Sequence, residues 1–152
     1  MFGRGDENLK IAIYGLGSFP IVCSHLIKEL RKQAHDFSWC SILPSPHYRH
    51  LLLELMPDNE ILDLFSELPR HPVGGDDSEL VNYHGSLIED IAANKTVWDS
   101  RSGEWRYKRG FDYYRLYKKF LTEKKVTHLF IATVENEGGK IISAIAKNSA
   151  LR

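Results

Sequence analysis

Cysteine is scarce in this chain: Cys23 and Cys40 are the only two. A pair of thiols makes neither the disulfide framework of a small secreted domain nor a four-thiolate metal centre. Both sit among apolar residues, so a reduced, cytoplasmic setting is expected. An excess of one charge is also missing. Twenty Lys and Arg balance twenty Asp and Glu, so no global field draws the chain to nucleic acid or to an anionic membrane. No run comes near the roughly 20 apolar residues of a membrane-spanning helix. Arg4, Asp6, Glu7 and Lys10 interrupt the stretch that would be apolar in a secretory leader, which points to a soluble protein. What the chain does have is 43% hydrophobic residues among 152, enough for one real core.

Leu9 to Tyr14 is a short apolar, β-branched run that ends at Gly15-Leu-Gly17-Ser-Phe-Pro20, and it reads as strand, turn, helix. The segment Ile21 to Ala34 repeats Ile21, Val22, His25, Leu26, Glu29 and Leu30 at helical spacing, with Pro20 suited to the first turn. Phe37 to Leu43 is a second strand candidate, stopped by Pro44 and Pro46. Strand, helix and strand in this order form a βαβ unit, whose crossover favours a parallel sheet. From His47 to Leu68 the spacing is helical, with a break at Pro57 and a restart capped by Asp58. Residues 69–80 have loop composition, 85–93 suggest a short helix or turn, and 99–103 another polar loop. Phe111 to Lys124 is helical, Val126 to Thr133 is a third strand, and Lys140 to Ala150 is a small-residue amphipathic helix.

The expected class is therefore α/β: a Rossmann-like three-layer α/β/α domain with a mainly parallel sheet, incomplete because three clear strands fall short of the usual five or six. Either a weak strand lies within 79–98, for instance Leu80 to Tyr83, or residues 1–152 are the N-terminal domain of a longer two-domain protein. The second explanation is the one expected here.

The Gly15-x-Gly17 turn is the best-placed ligand site, because glycines let the backbone approach a ligand and the next helix offers free N–H groups to an anion. It is only half a dinucleotide fingerprint. Pro20 stands where a third glycine belongs, and Pro44-Ser45-Pro46 follows the second strand where an acidic residue belongs. No nicotinamide cofactor, and no other cofactor, is expected. A tight turn without a ligand explains Gly15 and Gly17 equally well. Glu135-Asn136-Glu137-Gly138-Gly139 lies at the carboxyl end of the third strand, where open α/β sheets place their ligands. Glu135 and Glu137 can accept hydrogen bonds from sugar hydroxyls, and Glu137 is the candidate base; carboxylates that merely cap a helix are the alternative.

His47 directly follows the second strand and is a candidate acid, base or phosphate ligand. His50 lies three residues on, but no cysteine or carboxylate has matching spacing, so no metal is expected. His25 and His128 read as packed structural residues. Neither Gly-x-Ser-x-Gly, nor a phosphate-binding P-loop, nor His-Glu-x-x-His occurs. Cys23 and Cys40 fall on elements that the core should cover, so inert thiols are expected.

Charge is balanced overall but separated along the chain. Residues 57–90 hold nine acidic side chains against one basic, and residues 105–120 hold six basic and seven aromatic residues against one Asp. Such interleaving can stack a sugar or base and clamp a phosphate, with Arg106, Lys108, Arg109 and Arg115 as the clamp. It equally fits an amphipathic helix that packs Phe111, Tyr114, Tyr117 and Leu121 inward while Lys118 and Lys119 stay in water.

Three pieces of the sequence resemble the N-terminal half of bacterial capsular and surface polysaccharide biosynthesis proteins, two-domain glycosyltransferases of the GT-B kind. They are Ile11-Ala-Ile-Tyr-Gly-Leu-Gly-Ser-Phe-Pro-Ile21, the helix around Phe111-Asp-Tyr-Tyr-Arg115, and Val126 to Gly139 with Ile145-Ala-Lys147. The resemblance implies an acceptor-side domain, inactive alone. It would bind a sugar or phospho-sugar acceptor while a missing C-terminal domain binds the nucleotide-sugar. It also implies a cytoplasmic location, with the inner-membrane surface as an alternative. A ligand-binding or protein-interaction module, including a homo-oligomer, is the reading without catalysis; a single-strand nucleic-acid binder is weaker and is not expected.

Overall fold

A computed structural model describes residues 9–15, 17–35, 37–68, 102–132, 137–149 and 151. In chain order the elements are β1 (Lys10–Tyr14), α1 (Phe19–Lys32), β2 (Ser38–Leu43), a 3-10 turn (Pro46–Tyr48), α2 (Arg49–Leu53) and a second 3-10 turn (Asp58–Glu60). They continue with β3 (Ile61–Asp63), α3 (Leu64–Glu67), α4 (Gly103–Glu123), β4 (His128–Ile131) and α5 (Glu137–Asn148). The four strands form one sheet in the order β3-β2-β1-β4, with every pairing parallel. The chain is an α/β protein with a Rossmann-like sheet, as its βαβ start predicts.

Register sorts the strand residues between two layers. Ala12 pairs with Cys40 and with Leu129, and Tyr14 with Ile42 and Ile131. These alternate residues share the face that packs against Phe111, Tyr117, Phe120, Ile142 and Ile145 of α4 and α5. Ile13, Trp39 and Leu43 point the other way, into Cys23 and Ile27 of α1 and Leu52 of α2. The two central strands are buried on both faces, which is why they read as continuous apolar runs.

Three expectations in the order of the elements need correction. The fourth strand is β3, within the segment 47–68 that reads as helical. Its last residue, Asp63, is the cap of the restarted helix: the carboxylate accepts from the N–H groups of Phe65 and Ser66, whereas Asp58 lies in a 3-10 turn. Leu80 to Tyr83 and 85–93 lie outside the described residues. Helix α4 begins at Gly103, eight residues before the expected start, with the Ser102 hydroxyl accepting from the Trp105 N–H.

The phase of α1 is also different. Its buried residues are Pro20, Cys23, Ser24 and Ile27, not the stripe through Val22 and Leu26, which are 56% and 37% exposed. Small side chains at Cys23 and Ser24 let the helix lie close to the sheet, and the larger apolar ones are left outside. His25 is exposed rather than packed. Where α1 and α4 end, Ala34 and Lys125 take positive φ, and His35 and Val126 donate back to Leu30 and Leu121 in the last turn.

Candidate functional site at the carboxyl end of the sheet

Parallel strands bring their carboxyl ends to one edge of the sheet. The chain order reverses between β1 and β4, since β1 leads outward to β2 on one side and meets β4 on the other. In open α/β sheets the crevice at such a switch point is where ligands bind. The β1–α1 turn and the amino end of α5 flank it.

Gly15 is required by packing. A Cβ there would lie 2.0 Å from the Phe19 ring, which folds back over the turn. Gly17 is required by conformation: its φ of +57° suits glycine, and a Cβ would meet nothing within 4 Å. Among the described residues, the space beside Gly17 is open to an approaching ligand. Ser18 is exposed and makes no side-chain cap to α1. In the first turn of α1 Pro20 has no N–H and the Ile21 N–H donates to the Ser18 carbonyl at 3.0 Å, so the Ser18 hydroxyl and the exposed turn backbone, rather than a row of free helix-start donors, face this side of the crevice.

Across the switch point, Gly138 is buried at the start of α5. A Cβ on it would lie 2.4 Å from the Tyr14 Oη and 2.6 Å from the Tyr117 Oη. Two phenol oxygens, one from the end of β1 and one from α4, therefore press against the amino end of this helix. Their rings meet edge to face with centroids 6.0 Å apart, and Tyr113 joins Tyr117 at 5.8 Å. Burial, reinforced by Tyr14 and Tyr113, pushes the Tyr117 phenol well above its usual range, so it stays neutral. Gly139 is buried beside Gly138. Glu135 and the side chain of Glu137 lie outside the described residues.

His47 lies in the 3-10 turn after β2, one strand away from the switch point. It is exposed, and its Nδ1 is 3.4 Å from the Ser45 hydroxyl. His47 reaches the same edge of the sheet as Gly17 and Gly138, through a different loop. Among the described residues no group of three or more His, Cys, Asp or Glu is arranged to hold a metal.

The basic candidates lie on α4. This helix has 21 residues and at 1.5 Å per residue spans about 30 Å, against about 17 Å for a five-residue strand. Asp112 is buried between Arg109, whose Nη1 is 3.2 Å from one carboxylate oxygen, and Arg115, at 3.6 Å from the other. Arg109 also donates to the Leu68 carbonyl at 2.8 Å and lies over the Trp105 ring. Lys108 pairs with Glu104 at 2.7 Å, which holds the Glu104 carboxyl below its ordinary range. The side chain of Arg106 lies outside the described residues. Phe111, Tyr114, Tyr117 and Leu121 face the core and Lys119 is exposed, as the amphipathic reading of this helix expects, whereas Lys118 is half-buried with its ammonium over the Tyr114 ring.

Tyr14, Tyr117 and Asp112 are the site residues that sequence reasoning missed. Tyr14 is hidden in an apolar strand. Tyr113 and Tyr117, four residues and so about one helical turn apart on α4, are the signal that could have found the second phenol. Compared with protein-family models, with curated proteins and with solved structures, the chain matches none.

Proposed function

We propose that this chain is a ligand-binding Rossmann-like domain whose site is the carboxyl-end crevice. In its specific form the reading is the acceptor-side domain of a glycosyltransferase that builds bacterial surface polysaccharide. The observation that carries the binding site is the pairing of an open, left-handed Gly17 turn on one side of the switch point with the Tyr14–Tyr117–Gly138 cluster on the other. The exposed Gly17 turn and the Ser18 hydroxyl are suited to the hydroxyl and phosphate oxygens of a phospho-sugar, while the buried phenols of Tyr14 and Tyr117 fix the amino end of α5 across from them. The glycosyltransferase part rests on the likeness of the β1 turn, α4 and the β4–α5 segment to that family.

In this reading an acceptor hydroxyl attacks the anomeric carbon of a nucleotide-sugar. The new glycosidic bond forms as the bond to the nucleotide phosphate breaks, and His47 or Glu137 takes the hydroxyl proton. The donor is held by a separate domain, so residues 1–152 bind acceptor without turning over.

The test is an amide-resolved NMR titration with a water-soluble glycosyl phosphate. Saturable shifts at Gly15, Gly17, Ser18 and Gly138 are expected. Their absence sinks the binding site, and repeated turnover of a radiolabelled nucleotide-sugar by this chain alone sinks the acceptor-domain assignment.

A further inference from the structure

At the opposite, amino end of the sheet, a cavity of about 350 Å³ opens between the first residues of β1 and β2, the last turn of α1 and the segment leading into β3. Lys10, Arg31, Trp39 and Glu60 stand in its wall, with Phe37 and Met56 as apolar flanks. The volume lies in the range of small-molecule sites, roughly 300–1,000 Å³. It shares no residue with the carboxyl-end crevice.

Lys10 Nζ is 2.7 Å from Glu60 Oε2, and Lys124 Nζ is 3.7 Å from Oε1 of the same carboxylate. Each of these side chains is 20% exposed or less. Among the described residues, two sheltered ammonium groups thus share one carboxylate. Arg31 also lines the cavity and donates to the Leu55 carbonyl at 2.9 Å.

Trp39 supplies a second, independent observation. It is 6% exposed, and its indole nitrogen is buried without a hydrogen-bond acceptor among the described residues. An indole N–H can only donate, and native proteins seldom leave such a donor unmet. Trp39 stands in the wall beside Lys10 and Arg31. Phe37 and Trp39 meet edge to face at 6.3 Å and offer an apolar flank to a carbon skeleton.

We infer that this cavity binds the oxyanion head of a small organic acid or phosphate ester. Lys10 in the wall offsets its charge while Lys124 holds Glu60, and one oxygen accepts a hydrogen bond from Trp39 Nε1.

The test titrates the ¹⁵N-labelled chain with inorganic phosphate and separately with acetate, at ionic strength matched by chloride. The sequence has three tryptophans, and the Trp39 indole peak is identified by its loss in Trp39→Phe. A saturating shift of that peak is expected with at least one anion, with affinity at least tenfold weaker in Lys10→Met. Saturation by phosphate alone assigns a phosphate ester, by acetate alone an organic acid, and by both the oxyanion in general. A shift that only tracks chloride, or an unchanged affinity in a folded Lys10→Met, overturns the proposal. Should Lys10→Met fail to fold, Trp39→Phe keeps the ring and removes the donor. Binding is then followed at the Lys10 and Ser38 amides, where a loss of threefold or more is expected and wild-type affinity refutes the indole's role.

Discussion

Replacing Gly138 by alanine adds one methyl group to the amino end of α5, at a point where the structure leaves no room for it. The new Cβ would sit 2.4 Å from the Tyr14 Oη and 2.6 Å from the Tyr117 Oη. Neither oxygen ends a flexible side chain, because Tyr14 is 1% and Tyr117 0% exposed. Overpacking of this kind costs about 1–3 kcal/mol. Alanine's better helix propensity returns up to about 1 kcal/mol. The expected net loss is therefore between about 0 and 3 kcal/mol, which for a domain of this size lowers the melting temperature by up to about 12 °C. Urea denaturation measures it as a lower midpoint at unchanged slope. In a Tyr14→Phe, Tyr117→Phe background both oxygens are gone, and Gly138→Ala should become neutral or stabilising. A raised midpoint for Gly138→Ala in the wild-type chain would refute the close approach of the two phenols to α5.

Two further outcomes follow from buried charge and buried sulfur. Asp112→Asn removes the carboxylate between Arg109 and Arg115, and with Arg109 only 11% exposed it should destabilise by about 3–5 kcal/mol. By contrast Lys119→Met, at an exposed pair with Glu123, should change stability by no more than about 0.5 kcal/mol; equal effects in denaturant would contradict the burial of Asp112. Burial pushes both the Cys23 and Cys40 thiols up to about 12 from an ordinary value of 9.0, so a thiol reagent at pH 8 should label them only as fast as the chain unfolds. Their folded pKa lies above the unfolded one, so the folded chain holds more protons between about pH 9 and 12, and stability should fall as pH rises through that window. Rapid stoichiometric labelling of the native chain would contradict this.

The βαβ start was legible because its strands are apolar on both faces and end at residues with clear meaning, Gly15-x-Gly17 and Pro44. Strand β3 was not. Three residues, Ile61 to Asp63, are too few to show a period of two inside a stretch with helical spacing. Asp63 also serves as a cap, so it signals a helix to a reader of sequence while ending a strand in space. The face of α1 was misread because apolar size pointed to Val22 and Leu26, whereas close packing on the sheet selects Cys23 and Ser24. At the candidate site both glycine turns were visible as motifs. The phenols were not, since a tyrosine ending a buried strand looks like core until the helix that touches its hydroxyl is known.

The order of the strands also sets a price in chain entropy. β1 meets β2 across roughly 28 residues and β4 across 117, and closing the longer loop costs about 1.3 kcal/mol more. That extra cost falls on a single step. Lys10 and Thr127 exchange hydrogen bonds at one end of the junction, and Ala132 donates to Tyr14 at the other. The crevice between β1 and β4 exists only after these distant segments have met, so any ligand it holds also holds the two ends of the sequence together.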